Sequence, residues 1–159
     1  MPEQAVRPGT ESEIDEIAEL WTEMYAYQRA HGMVLPLRDD AAEVWKRQLA
    51  GRLDSAVSIV LVVPGDAGKL VGFLAAQIKR LPPHLATARP KLGFISEVFV
   101  RPEARRRRTG RALVDAVFGW FERADVGSIE LQVLVGNDSG RRFWEELGFV
   151  PELLQMRRG

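Results

Sequence analysis

Residues 92–135 constrain the fold most. "LGFISEVFV" (92–100) is a strongly apolar run of strand length. From about Thr109 to Arg123, Leu113, Val114, Val117, Phe118 and Phe121 recur at helical spacing. "SIELQVLV" (128–135) reads as a strand again. Strand, helix and strand in this order form one parallel pair joined by a right-handed crossover. The preceding runs have another character. "AVSIVLVV" (56–63) and "LVGFLAAQI" (70–78) are joined by the turn cluster "PGDAGK", which makes an antiparallel hairpin. "KRLPPHLATARPK", with its three prolines, is a loop. The sheet is therefore mixed.

The remaining elements complete the order. Residues 4–7 suit a short strand ended by Pro8 and Gly9, and Thr10 with Glu13 is a capping-box signal. Ile14, Ile17, Ala18, Trp21, Met24 and Tyr25 then mark a helix running to about Ala30. Asp39 or Asp40 can cap a second helix that carries Val44, Trp45 and Leu49 and stops near Gly51. Residues 138–147 make a short helix with Phe143, Trp144 and Leu147, and Asp138 and Ser139 read as its caps. "ELLQMR" (152–157) reads as a last edge strand. The predicted order is β-α-α-β-β-β-α-β-α-β. The fold class is α/β (α+β): a mixed, mostly antiparallel central sheet of about six to seven strands, one parallel βαβ crossover, and helices on both faces. A chain of 159 residues suits one domain, 1–159, with a single core.

Composition narrows the function. Lys+Arg and Asp+Glu number 22 each, so no net field draws the chain to nucleic acid or membrane, and neither is expected as a partner. There are no cysteines, which excludes disulfides, thiolate metal sites and a cysteine nucleophile. The two histidines, His31 and His84, lie far apart, so no metal site is expected. Val57 to Val63, the longest apolar run, is too short to span a bilayer. The N-terminus lacks the apolar stretch of a signal peptide. A soluble, cytoplasmic protein is expected.

The junction after residue 100 is the richest chemical signal. "FVRPEARRRRTGRAL" passes from strand to helix through four consecutive arginines. First-turn amides of a helix lack internal acceptors and carry the positive end of its dipole. A phosphate is stabilised there, more so where glycine permits close approach. Gly110 sits at that point, ringed by Arg105, Arg106, Arg107, Arg108 and Arg111. A pyrophosphate is the natural ligand. A bare arginine run is commonly a solvated basic face, and it is the flanking strand, proline and glycine that make this one specific.

"VRPEARRRRTGRAL" resembles motif A of the GNAT N-acetyltransferase superfamily, V-x-P-x-x-[QR]-x-x-G-x-[GA]. Val100, Pro102, Arg105 and Gly110 match, and Arg108 stands where the first glycine usually lies. "NDSGRRFWEELGF" is similar to a second signature of that family, N-x-x-A-x-x-F-Y-x-x-x-G-F. Asn137, Phe143, Gly148 and Phe149 match, while Gly140 replaces the alanine and Trp144 the tyrosine. The resemblance implies the acyl-CoA N-acyltransferase-like fold and acetyl-CoA (acetyl-coenzyme A) as donor. The pyrophosphate would be held by Arg105, Arg106, Arg107, Arg108, Thr109, Gly110 and Arg111. The pantetheine arm would pair with the backbone of Val98, Phe99 and Val100, with Asn137 and Trp144 beside it. Arginine at 108 costs about 1–2 kcal/mol if the loop is left-handed there, which a charge-assisted phosphate contact can offset.

Transfer of an acetyl group to a primary amine needs a base, a donor to the oxyanion and a route for the leaving thiolate. Glu97 is the candidate base, placed by alternation on one face with Ile95 and Phe99; the bland alternative is an exposed residue at a splayed position. The oxyanion donor is expected to be the backbone N–H of Phe99 or a neighbour. Trp144 removes the family's usual general acid, and indole N–H is no practical acid. The chain's only tyrosines, Tyr25 and Tyr27, lie in the first helix, where one could reach the acceptor side or both could be core. Trp21 and Trp45 are core or pocket lining. The acceptor is expected to be a small-molecule or peptidic amine, bound by the 25–40 segment, the 79–91 loop and residues 149–157. The competing reading is a coenzyme A-binding sensor without turnover. Edge strands near the C-terminal segment invite pairing, so a homodimer is also expected.

Overall fold

The computed structural model describes residues 5–159, the Arg106 side chain excepted. Its β-branched runs form strands because both sheet faces are covered. Along β2 (Ser58–Pro64), Val60 and Val62 face one core while Leu61 and Val63 face the other. Along β3 (Leu70–Arg80), Phe73 and Ala75 alternate with Leu74 and Ala76 in the same way. Burial on both faces explains why these segments read as continuous apolar runs.

The sheet order is β1-β2-β3-β4-β5, with β1 Arg7–Pro8, β4 Lys91–Val100 and β5 Ser128–Leu131. β1 to β4 pair antiparallel, and β4 with β5 is parallel. The crossover between these two is α3 (Thr109–Arg123), as its periodicity predicts. Helices α1 (Ile14–Ala30) and α2 (Ala41–Leu53) cover one face. α3 and α4 (Asp138–Glu146) cover the other. The first core stacks Trp21 on Trp45 with centroids 5.1 Å apart. The second centres on Phe121, Leu113 and Val117.

Among the described residues there are five strands, not six to seven. Residues 150–159 adopt neither helix nor strand, so the expected strand at 152–157 does not form. A strand needs a neighbour to satisfy its ladder, and this segment has none. β5 stops at Leu131, not 135, where its pairing with β4 ends. β1 is confined to two residues; of the expected strand over 4–7, residue 4 lies outside the described residues. The Thr10–Glu13 signal opens a 3₁₀ turn leading into α1, with the Thr10 amide donating to Glu13 Oε1 at 3.1 Å. Arg7 grips the same carboxylate through two 2.8 Å bonds and holds its pKa down to about 2.

Candidate functional site

The site is organised by a change of state halfway along β4. Its first half, Leu92 to Ile95, is paired on both edges, to β3 and to β5. Pairing with β5 ends at Ile95 opposite Leu131, while β4 continues to Val100. At the same point the register with β3 jumps: Ile95 lies opposite Ala76 but Glu97 opposite Ala75, leaving Ser96 as a bulge. The bulge corrects the expected alternation. Ile95 faces the α3 core, whereas Phe99 belongs to the α1–α2 core, and Glu97 lies across from Ala75 of that same core.

Beyond the bulge one edge of β4 is open. The Arg101 amide donates to the Val71 carbonyl at 2.8 Å. Carried back along the antiparallel register, this alternation turns the backbone of Phe99 and Glu97 toward β3 and that of Val98 and Val100 toward the opening. Of the expected oxyanion donors, Phe99 or a neighbour, the Phe99 amide is thereby directed into the ladder with Phe73, and its neighbour Val98 faces the gap.

The arginine run follows as a 3₁₀ helix, Pro102–Arg107, then a left-handed residue, then α3. The left-handed residue is Arg108, with φ 59° and ψ 19°. The position where the family carries glycine is thus the one whose backbone favours it. The arginines separate in role. Arg105 Nε donates to the Val100 carbonyl at 2.8 Å, and its guanidinium lies 5.0 Å from the Tyr27 ring centre and 5.6 Å from that of Phe99. Arg107 pairs with Asp66 at 3.2 Å and Arg111 with Asp115 at 3.0 Å, both on the surface. Arg108 is exposed, and the Arg106 side chain lies outside the described residues. Thr109 is buried, its hydroxyl donating to the Ala104 carbonyl at 3.0 Å. Gly110 occupies the first turn of α3, where a Cβ would meet the Phe143 ring at 3.5 Å and Val100 at 3.9 Å, both ordinary contacts.

Glu97 is mostly buried and held from three sides. Arg52 of α2 donates to both carboxylate oxygens, at 2.9 and 3.2 Å. Trp45 Nε1 points at Oε1 from 3.5 Å, and the Ser96 hydroxyl contacts Oε2. Glu97 is therefore no splayed surface residue but a carboxylate fixed in orientation and neutralised by one guanidinium. Trp21 and Trp45 resolve as core, Trp45 with its polar edge toward this carboxylate.

The wall facing β4 comes from α4 and the end of α1. Asn137, not Asp138 or Ser139, caps α4: its Oδ1 accepts from the Gly140 amide at 3.1 Å. A Cβ on Gly140 would crowd the Asn137 side chain, which would have to shift for the alanine that the family carries here. Tyr27 Oη donates to Asn137 Oδ1 and lies near Ser139 Oγ, both at 3.3 Å. His31 stacks on Tyr27 with centroids 4.0 Å apart, and its Nδ1 donates to the Tyr27 carbonyl at 2.7 Å. Trp144, expected beside the cofactor arm, is buried in the α3 core, edge-on to Phe143 and Phe149. α4 is amphipathic, and the large indole takes the apolar side.

The structure thus gathers Phe99, Arg105 and Asn137 around Tyr27, and sets Glu97 on α2 rather than on the arginine loop. Sequence reasoning missed Arg52 altogether, since a helical arginine forty-five positions from Glu97 carries no local signal. Tyr27 was visible only as one of two tyrosines on an apolar helix. Its distinguishing sign is that it lies three residues beyond Met24, the last buried residue of α1.

The Acetyltransferase (GNAT) family model matches residues 14–149. No curated protein sequence matches the chain. Among solved structures, the tetramutant of the BH1408 protein from Bacillus halodurans superposes with a TM-score of 0.83 at 22% identity, covering 98% of this chain and 99% of that one. Aminoglycoside antibiotic 6'-N-acetyltransferase AAC(6')-Ih from Acinetobacter baumannii gives 0.75 at 18% identity, with 98% and 97% covered. Aminoglycoside N-acetyltransferase AAC(6')-Iy, crystallised in complex with CoA, gives 0.74 at 18% identity, with 100% and 98% covered. At these identities the likeness is one of fold. With the family model spanning most of its length, the chain belongs to the GNAT acetyltransferase family.

Proposed function

We propose that this chain is a single-domain N-acetyltransferase that uses acetyl-CoA to acetylate a primary amine of a small molecule or peptide. The observation that carries the reading is the opening of β4 from β5 beyond Ile95, which leads directly into left-handed Arg108 and the first turn of α3. These residues fit a pantetheine diphosphate. Val98 and Val100 offer backbone groups to an amide-bearing arm. The Gly110 and Arg111 amides, at the positive end of α3, suit a pyrophosphate. The exposed Arg108 adds charge-assisted contacts that offset its backbone strain. Bound there, acetyl-CoA supplies an activated thioester.

The protein's own groups then divide the work. Val98 N–H, directed into the gap, is the donor for negative charge developing on an oxygen there, taking the part first expected of Phe99. Phe99 contributes its ring to the wall. Glu97 takes a proton from the incoming ammonium through water, with Arg52 and Trp45 holding the carboxylate in place. Tyr27 Oη is the hydroxyl placed to give a proton to a leaving thiolate, in lieu of the tyrosine that Trp144 displaces.

The decisive assay is thiol release from acetyl-CoA across a panel of primary amines, alongside calorimetric titration with coenzyme A. Turnover with at least one amine is expected, and Tyr27→Phe is expected to lower kcat about 10²-fold while coenzyme A binding persists. Binding with no turnover across the panel would favour a sensor instead. The burial of Trp144 and the ion pair of Glu97 with Arg52 are the observations on that side.

A further inference from the structure

The Arg52–Glu97 pair is lopsided. Arginine commonly meets a carboxylate through its fork, two nitrogens on two oxygens. Here one nitrogen, Arg52 Nη1, makes both bonds to Glu97, at 2.9 and 3.2 Å. Of the five N–H donors of a guanidinium, the three on Nε and Nη2 have no partner among the described residues, and no partnerless side-chain nitrogen there is buried. The Arg52 side chain is 28% exposed and that of Glu97 12%, so the cation is the outer member of the pair.

Glu97, by contrast, is fully engaged. Its Oε1 accepts from Trp45 Nε1 and from Arg52, and its Oε2 accepts from Arg52 and touches the Ser96 hydroxyl. A carboxylate has about four acceptor positions, and all of them are taken. An ammonium approaching Glu97 finds no free lone pair until one donor withdraws. Trp45 is buried in the core and Ser96 belongs to the bulge of β4, so both are fixed. Arg52, in the last turn of α2 with half of its fork in water, is the donor free to move.

We propose that the acceptor is a free α-amino acid, and that Arg52 selects it by exchanging Glu97 for the acceptor's carboxylate. The assignment rests on the proposed acetyltransferase activity and names its substrate class. The fit is one of charge and span. The ammonium and a carboxylate oxygen of an α-amino acid lie about 3 Å apart, and Arg52 Nη1 lies 2.9 Å from Glu97 Oε2. The zwitterion lies against the ion pair head to tail, its carboxylate on the open fork of Arg52 and its ammonium at the Glu97 oxygen so released. Two pairs replace one, and the charge of the site stays balanced. A polycation brings only ammonium groups to a carboxylate already paired, and the amino end of a peptide brings no carboxylate beside its amine. Transfer itself is unchanged: the nitrogen bonds to the acetyl carbon as the C–S bond breaks. Of the two protons the ammonium loses, one passes to Glu97 and on to water, and the other replaces the proton that Tyr27 gives to the thiolate.

The test is thiol release under saturating acetyl-CoA, with each common α-amino acid set against its own carboxamide and with peptides and polyamines alongside. At least one acid is expected to exceed its amide by roughly 10–100-fold in kcat/KM, the scale of a hydrogen bond to a charged group. Part of that factor is expected in kcat, because only the carboxylate frees the base. In Arg52→Gln the ratio of acid to amide is expected to fall below about threefold, whereas Arg52→Lys keeps part of it. A ratio taken on one sample does not depend on how much of a variant is folded, and a merely structural arginine would lower both rates alike. Equal use of acids and amides, use of peptides or polyamines alone, or a preference that survives Arg52→Gln overturns this assignment and leaves the acetyltransferase standing. No thiol release with any acceptor removes the acetyltransferase reading and this assignment with it.

Discussion

β4 is two strands in one. Leu92 to Ile95 are locked between β3 and β5, with α3 above. Gly93 there has no room for a side chain, because a Cβ would come within 2.8 Å of the Phe121 ring. Glu97 to Val100 keep only β3, and the opposite edge faces the arginine turn, Tyr27 and Asn137. One bulged serine separates a stretch paired on both edges from one with an open edge, which the proposed function gives to chemistry. If the division is real, substitutions in the first half alter unfolding without touching ligand behaviour, and substitutions in the second do the reverse.

The largest effect is expected in the closed half. Phe121→Ala removes a ring that is 1% exposed and is predicted to cost about 3–5 kcal/mol, lowering Tm by roughly 10 °C. Calorimetric unfolding checks it. Affinity of the remaining folded protein for coenzyme A should stay within about threefold. Gly93→Ala, costing about 1–3 kcal/mol alone by overpacking, should cost much less in the Phe121→Ala background, because the atoms it strikes are gone. Additive costs would break the packing account of this half.

Next comes Glu97. Glu97→Gln keeps the shape and the acceptor for Arg52 but removes the charge. Turnover is predicted to fall about 10²-fold, with unfolding free energy lowered by a smaller factor, on the order of 1–3 kcal/mol for the partly buried Arg52 charge left without its counter-ion. Arg52→Ala, which frees the carboxylate without deleting it, separates base from support: a change in the pH profile rather than abolition is expected. Equal loss of stability and activity in Glu97→Gln would make this carboxylate structural and erase the contrast between the halves.

How much of this was legible from sequence follows from where each feature is decided. α3 and the parallel crossover were readable because Leu113, Val117 and Phe121 encode their own periodicity. The left-handed residue was readable because Arg108 occupies the family's glycine position. The bulge was not: Ser96 fits simple alternation, and only pairing with β3 makes it the surplus residue. Glu97 was singled out for its charge within an apolar strand, but Arg52 and Trp45 approach from a helix, 45 and 52 positions earlier. Trp144 and Tyr27 were hard to place because burial is settled by tertiary packing: α4 turns the indole into the second core, and Tyr27 packs only partly buried against the first. The strand expected at 152–157 does not form, because alternating apolar residues are not enough: a strand also needs a neighbour to complete its ladder, and this segment has none.

Arg108 tests the seam between the halves and α3. Arg108→Glu reverses the exposed charge at the proposed pyrophosphate cradle and is predicted to weaken coenzyme A binding roughly 10–100-fold, with a smaller penalty at high salt. Arg108→Gly isolates the backbone term: φ of 59° suits glycine, so unfolding free energy should rise by about 1 kcal/mol while affinity falls modestly. Opposite signs for stability and affinity are the signature of strain retained for a ligand. Gains in both would mean that the arginine contributes nothing to binding.

The smallest effect belongs to Ser96 itself. Its hydroxyl lies 3.1 Å from the Ala75 carbonyl and also contacts Glu97, yet it has one proton to donate. Ser96→Ala should cost about 1 kcal/mol for the lost bond and change turnover by less than about threefold, because the bulge is held by the ladder on either side: Ile95 opposite Ala76, Glu97 opposite Ala75. Hydrogen exchange gives the finer readout. In Ser96→Ala the amides of Phe94 and Ile95, paired on both sides, should remain among the slowest in the protein, while those of Val98 and Val100 stay fast until coenzyme A is added. Slow exchange at Val98 without ligand would mean that the second half of β4 is already covered, and that the opening on which the proposed chemistry depends is closed in solution.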